Sequence, residues 1–260
     1  MEGPGTGRPG HEAPNGPDRP ELVREAKETL REVPAAVGLV VAMQALLAWL
    51  SLRNGWTLFH VHGWVWWVPI IPEAILLALV VRDRRMVIAA NGSRSGREVD
   101  GQDERRRAEV IALLALIAAW NAITLILLVL ELFTGEVRTG GELMIEATVV
   151  LFTLVLSFGL IYWEVDGGGP RQRALDPAGF RDFLFSQMTD DGARVVRDRD
   201  KPWFPRLVDY AYLAFVTAIA WSAADALPVS RRAKLLMALE TSVAALTILL
   251  VAARAIGIFG

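Results

Sequence analysis

The chain has 260 residues, 53% of them hydrophobic, with a formal net charge of −2, so its global charge points to no nucleic-acid partner. It contains no cysteine, which excludes disulfides, thiolate metal sites and cysteine nucleophiles. The apolar residues cluster into runs of about 18 or more, the length a helix needs to cross a hydrocarbon core of roughly 30 Å. The expected fold class is therefore all-α, a polytopic membrane helical bundle embedded in the lipid bilayer.

Residues 1–20 are mostly Gly, Pro and charged or polar residues. No basic segment leads into a short apolar one, so no signal peptide is read, and the tail is expected to be disordered. Residues 21–33 follow as an amphipathic surface helix with Leu22, Ala26, Leu30 and Val33 on one side, ended by Pro34. Six transmembrane helices are then predicted: Pro34–Leu52, Trp64–Val81, Val110–Leu130, Leu143–Trp163, Leu207–Leu227 and Ala233–Ala253. The first four make up a unit over 34–163 and the last two a C-terminal hairpin over 207–260.

Basic residues crowd the N-terminal tail, Arg82–Arg107 and Glu164–Arg206, whereas Arg53–Gly63 holds Arg53 alone and Thr134–Glu142 holds Arg138 alone. Lys and Arg mark cytoplasmic segments, so six spans with both termini in the cytoplasm are expected. Arg231 and Arg232 break the pattern, since that topology puts them outside. Trp56, Trp64, Trp66, Trp67, Trp163 and Trp203 lie at or near span ends, as an interfacial aromatic belt would. Within 164–206, Asp176 can cap a helix that opens on Pro177. Phe180, Phe183, Leu184 and Met188 then recur at helical spacing, which predicts an amphipathic interfacial helix over 177–189.

Polar groups within spans are the functional suspects, because each needs a partner or water. These are Glu73, Asn121, Thr124, Glu146 and Glu240, with Asp209 and Asp225 near the ends of the fifth span. They read either as a polar path for an ion or proton, or as hydrogen-bonded ties between helices. Glu240, well inside its span, is the leading candidate for the path.

Other motifs carry less. His60 and His62 are two imidazoles without a third ligand, so no metal is expected. Asp166-Gly167-Gly168-Gly169-Pro170 lacks the Lys-Ser/Thr of a phosphate loop and reads as helix termination. Gly92-Ser93-Arg94-Ser95-Gly96 lacks the histidine a serine hydrolase would need. No catalytic set and no cofactor site is found, so an enzyme is not expected.

Two resemblances add to this reading. Leu156-Ser157-Phe158, Tyr162 through Pro170, Asp182-Phe183-Leu184-Phe185, Trp203 through Tyr210, Asp225, Ser230 through Lys234 and Val251 through Ala255 resemble an uncharacterised family of multi-pass membrane proteins, mostly actinobacterial. The likeness covers about the last 110 residues of the 260 and implies the bacterial inner (plasma) membrane but no activity. More weakly, Tyr212–Thr217, Asp225, Pro228 and the last apolar helix resemble the pore helix, aspartate, proline and inner helix of potassium channels. Where those channels carry T-V-G-Y-G, this chain has Ala220-Trp221-Ser222-Ala223-Ala224. Without glycines, successive carbonyls are not readily turned inward, so a degenerate, non-potassium-selective pore region is what this likeness implies. The functional expectation is a channel- or transporter-like assembly of identical chains. The alternative is a membrane anchor or scaffold whose basic cytoplasmic loops bind a partner or anionic lipid.

Overall fold

The computed structural model describes residues 19–55, 57–58, 61–62, 67–89, 99–134, 140–176, 179–189, 203–222 and 226–259. Seven α-helices are described: α1 (Arg19–Asn54), α2 (Ile70–Ala89), α3 (Val99–Thr134), α4 (Gly140–Val165), α5 (Pro170–Leu175), α6 (Leu207–Ala220) and α7 (Arg231–Phe259). Two small antiparallel pairs accompany them, β1 (Thr57–Leu58) with β2 (Val61–His62) and β3 (Phe183–Phe185) with β4 (Ala226–Pro228).

The molecule is all-α in class, and four helices are long and apolar enough to cross a membrane: segments 31–54, 107–127, 144–168 and 231–253. These correspond to the first, third, fourth and sixth predicted spans. The second begins at Ile70 instead of Trp64, after Pro69, and its later half carries Arg82, Asp83, Arg84 and Arg85. The surface helix expected over 21–33 is not separate. It continues through Pro34 into the first span as one helix, because an interior proline removes only one backbone bond and Val33 and Val37 on either side are both buried.

The core is organised around α4, which packs against α1, α3, α6 and α7. Gly159 sets the closest approach. A Cβ there would lie 2.9 Å from the Ala211 Cα, so α6 rests against α4 almost backbone to backbone, in the manner of small-residue contacts between membrane helices.

Three contacts fix which helix ends share an end of the bundle. Arg107 at the start of the α3 span donates to the Val165 carbonyl that closes α4. Glu32, before the first span, accepts the Leu207 N–H at 3.0 Å and pairs with Arg206. Asp182 binds Arg232, the second residue of α7. The starts of the α1 and α3 spans, the close of α4, and the starts of α6 and α7 therefore meet at one end, here named the latch end.

Two expectations for the last third of the chain are overturned. The fifth span, Leu207–Leu227, is not one helix: α6 stops at Ala220 after 14 residues, roughly 21 Å at 1.5 Å per residue. The chain then returns, since Phe183 faces Pro228, Leu184 faces Leu227 and Phe185 faces Ala226. Residues 226–232 therefore lie at the latch end, with 164–189, and the start of α1 and the end of α7 lie at opposite ends of the bundle.

The amphipathic helix expected over 177–189 is likewise replaced by β3 and a 3₁₀ turn over Ser186–Met188. Its burial alternates, with Phe183 and Phe185 buried and Leu184 exposed, which is the period of a strand. Its partner strand lies more than forty residues away in sequence.

This pairing separates the two topologies experimentally. Facing residues of an antiparallel pair have Cα atoms about 4.5–5.5 Å apart, within disulfide reach. In the cysteine-free chain, Leu184→Cys with Leu227→Cys should form an intramolecular disulfide under mild oxidation, seen by intact mass and by peptide mapping. Six full spans would put these positions on opposite faces of the membrane and give no bond.

Candidate functional site

The latch end is built on two buried carboxylates. Asp166 sits where α4 gives way to a turn of three glycines, Gly167, Gly168 and Gly169, all at positive φ. Such angles cost a side chain dearly and glycine little. At Gly167 a Cβ would also fall 2.8 Å from the Phe180 carbonyl oxygen. The turn brings the next segment back over the end of α4, where the Asp166 carboxylate receives it. Its Oδ1 accepts the backbone N–H groups of Asp182 (2.6 Å) and Phe183 (3.1 Å), and its Oδ2 accepts the Tyr210 hydroxyl at 2.6 Å. Arg173 adds charge at 4.0 Å and donates to the carbonyls of Trp163 and Asp166 at 2.7 and 2.6 Å. Its guanidinium also lies over the Tyr210 ring, 5.2 Å from the centroid. Asp166 is fully buried, so this set of donors is what makes a charge tolerable there.

Asp182 is the second. The Arg232 side chain donates through Nε to Oδ1 and through Nη2 to Oδ2, a two-point fork, and Gly167 N–H donates to Oδ2 at 3.1 Å. The Asp182 carbonyl accepts Val229 N–H at 2.9 Å. Ser230 caps α7 by accepting Ala233 N–H at 3.1 Å. Around these bonds Tyr162, Phe183, Tyr210, Phe185 and Trp203 form a continuous aromatic chain with centroid separations of 5.0 to 6.3 Å. Trp163, expected in an interfacial belt, is buried instead, and Trp203 packs on Phe185.

The predicted polar residues fall into separate helix pairs. Gln44 on α1 donates to Glu73 on α2 at 2.8 Å. Asn121 on α3 accepts from Thr153 at 3.0 Å and donates to Ser157 at 3.5 Å, both on α4; Thr124 is buried nearby in sequence. Tyr162 on α4 donates to Glu240 Oε2 on α7. Glu146 is fully buried on α4. Asp209 lies in the first turn of α6. It accepts the Arg206 N–H at 2.7 Å and closes the N-terminus of α6, as an acidic residue in a first helical turn does.

The bonds named above tie Glu73, Asn121 and Glu240 each to a residue outside the predicted set. Glu240 Oε1, Glu73 Oε2 and Thr217 Oγ1 are buried without a partner among the described residues. Asp225, Ala223 and Ala224 lie outside the described residues, as do the side chains of His60, His62, Trp56, Trp64 and Trp66. Of the degenerate filter region, Ala220 ends α6, and Trp221 and Ser222 follow, all three exposed. Trp221 is the one non-glycine residue at positive φ among the described residues (φ 51°, ψ 36°), a conformation costing a side chain about 1–2 kcal/mol.

The sequence reading assigned no role to Asp166, Asp182, Tyr162, Tyr210, Arg173 or Arg232. Spacing reads Asp166 and its glycines as a helix stop, and the family likeness includes them without a role. The available signal was the pairing of a Gly-rich turn after an apolar run with a second aspartate 16 residues on, but nothing local names Tyr210 or Arg232 as partners. No protein-family model, curated protein or solved structure matches the chain.

The Asp182 carboxyl titrates below its ordinary value. Burial pushes it up, but the Arg232 fork, Ser230 and the Gly167 amide together outweigh burial. A depressed carboxylate contributes stability that is complete above its unfolded value and lost as pH falls through the folded one. Arg232 is half exposed, so Arg232→Gln should cost only about 1–2 kcal/mol at pH 7. The penalty should shrink as pH falls below about 4, measured by thermal unfolding in detergent across pH. A penalty independent of pH would show that the fork is not what Arg232 contributes.

Proposed function

We propose that this chain is a channel- or transporter-like protein of the bacterial inner membrane, with α6 and the return after it forming a re-entrant element beside the spanning helix α7. One observation carries the reading: both ends of 203–232 are anchored at the latch end, while the 14 residues of α6 run inward between them. A 14-residue helix reaches roughly 21 Å into a hydrocarbon core of roughly 30 Å, and the connection back to Ala226 begins at that depth. Backbone that is neither helix nor barrel strand is tolerated at such depth only against protein or water. A dipping helix whose chain then returns is a device for bringing carbonyls and a polar side chain to the middle of a membrane, where selectivity can be imposed. The strained Trp221 stands at the turn, where backbone strain and function commonly coincide.

Sidedness follows from the charge pattern. With the ends assigned as above, the described Lys and Arg residues beside the span ends lie on the latch-end side, apart from Arg53 and Arg254. The anomaly of Arg231 and Arg232 disappears. By the bias of basic residues toward the cytoplasm, the latch end faces inward, α6 dips from the cytoplasmic side, α1, α3, α4 and α7 cross, and α2 returns the chain to the latch end. The N-terminus is then inside and the C-terminus outside. Single cysteines at Gln172, Val229 and Gly260, labelled with a membrane-impermeant thiol reagent, should read inside, inside and outside. Val229 and Gly260 on one side would refute the re-entrant topology.

Transport itself is tested with reconstituted vesicles under K⁺, Na⁺, Cl⁻ and proton gradients. At least one gradient should dissipate through the protein. In the Ser222→Cys variant, which folds with a small side chain, a bulky methanethiosulfonate added afterwards should abolish most of that flux. No flux of any ion in either direction, or flux indifferent to the modification, sinks the reading.

A further inference from the structure

We infer that Glu73 and Gln44 together form a proton-binding site between α1 and α2, a carboxylic acid and an amide closed edge to edge by two hydrogen bonds. Gln44 Nε2–H already donates to Glu73 Oε1 at 2.8 Å. The two atoms left over, Gln44 Oε1 and Glu73 Oε2, are both buried and both lack a partner among the described residues. An amide oxygen only accepts, and so does each oxygen of an ionised carboxylate. As a carboxylate, Glu73 would therefore leave two acceptors bare in the same pair. One added proton satisfies both, because a carboxylic acid presents a carbonyl and an O–H side by side, as an amide presents its carbonyl and N–H. Glu73 Oε2–H then donates to Gln44 Oε1 while the existing bond stays in place.

The surroundings favour the neutral form. Gln44 is 3% and Glu73 1% exposed, and an unpaired charge is among the costliest groups to bury. No ion pair reaches Glu73 among the described residues. The neighbouring helices offer no cation along their apolar stretches either. α1 has no charged residue between Glu32 and Arg53, and α2 has none between Glu73 and Arg82. α3 packs on α2 and has none between Glu109 and Glu131. α4 packs on α1 and contributes Glu146 alone between Glu142 and Glu164, a further carboxyl and not a counter-ion. A glutamine at position 73 would make the same pair with no proton to lose. Glutamate makes one that opens on deprotonation, with two oxygens then opposed across the α1–α2 contact. Proton binding is thereby linked to the packing of these two helices. The site does not depend on the dip of α6, and a protein that passes no ion would leave it standing.

The test uses the full-length protein in lipid nanodiscs at neutral pH. The infrared difference between wild type and Glu73→Gln should contain the C=O band of a hydrogen-bonded carboxylic acid, lost with the glutamate. Gln44→Leu should move that band to the higher frequency of an acid carbonyl that accepts no bond. Glu73→Gln puts an amide N–H where the acid O–H stood, so in mild acid it should unfold thermally as wild type does. A proton bound more tightly by the folded chain than by the unfolded one contributes stability that is lost as pH rises. The variant should therefore become the more stable of the two toward alkaline pH. Carboxylate bands in place of the acid band, as a water bridging the two acceptors would give, overturn the proposal. So does a Glu73→Gln variant that fails to fold, since a neutral pair accepts the amide, or a stability difference that stays flat across pH.

Discussion

The burial of two carboxylates at one end of the bundle determines the shape of the last hundred residues. Asp166 is fully enclosed, and a carboxylate so placed survives only with its lone pairs occupied. Occupying them requires the amides of Asp182 and Phe183 and the hydroxyl of Tyr210. The end of α4, the start of β3 and the first turn of α6 are thus pinned to one point. Asp182 repeats the requirement one step further along and is answered by Arg232, which pins the start of α7. Once both ends of 203–232 are held together, a chain of that length has to travel inward and come back.

Small residues then decide where it travels. Gly159 leaves room for Ala211, and Ala214 and Ala218, also buried, continue the line along α6. The helix can therefore lie in contact with α4 instead of standing off by a layer of larger side chains. The buried polar side chains deeper in the bundle do other work. Gln44 with Glu73, Asn121 with Thr153 and Ser157, and Tyr162 with Glu240 each join two helices. Such ties replace the hydrophobic driving force that helices lack in lipid. Glu240 looks inward to α4 and not toward the exposed side of α7, so a pathway along the α6 turn would not pass it.

How much of this was legible in the sequence depended on whether the signal was local. Long apolar runs announce α1, α3, α4 and α7, because hydrocarbon thickness is a one-dimensional demand on the chain. Leu207–Leu227 looked like a fifth such run, since hydropathy sums side chains and carries no information on where the backbone turns. Phe180, Phe183, Leu184 and Met188 matched a helical period, yet short apolar runs fit either period. The β4 partner that makes 183–185 a strand is distant in sequence. Asp209 was visible as a charge near a span but not as a cap, because its role depends on where α6 begins. The one sequence feature that did object was Arg231 and Arg232 on the wrong side of a six-span topology. A charge pattern integrates over the whole chain, so it can disagree with a topology that each local pattern supports.

The absence of glycine from Ala220-Trp221-Ser222-Ala223-Ala224 takes on a different meaning beside the two anchors. If the turn after α6 had to be formed by local preference, a glycine would be expected where Trp221 adopts a left-handed conformation, since glycine does so without the penalty of about 1–2 kcal/mol. The chain places its bulkiest side chain there instead. The conformation is therefore imposed from outside the turn, by α6 packed along α4 and by β4 held against β3. Those contacts are made by the body of α6 and by the latch end, not by Trp221 or Ser222. Substitutions at Trp221 or Ser222 can then alter what the turn presents without unmaking the return itself. Loss of Asp166 or Asp182 would do the opposite, leaving the turn sequence intact and removing the anchors that bring the chain back.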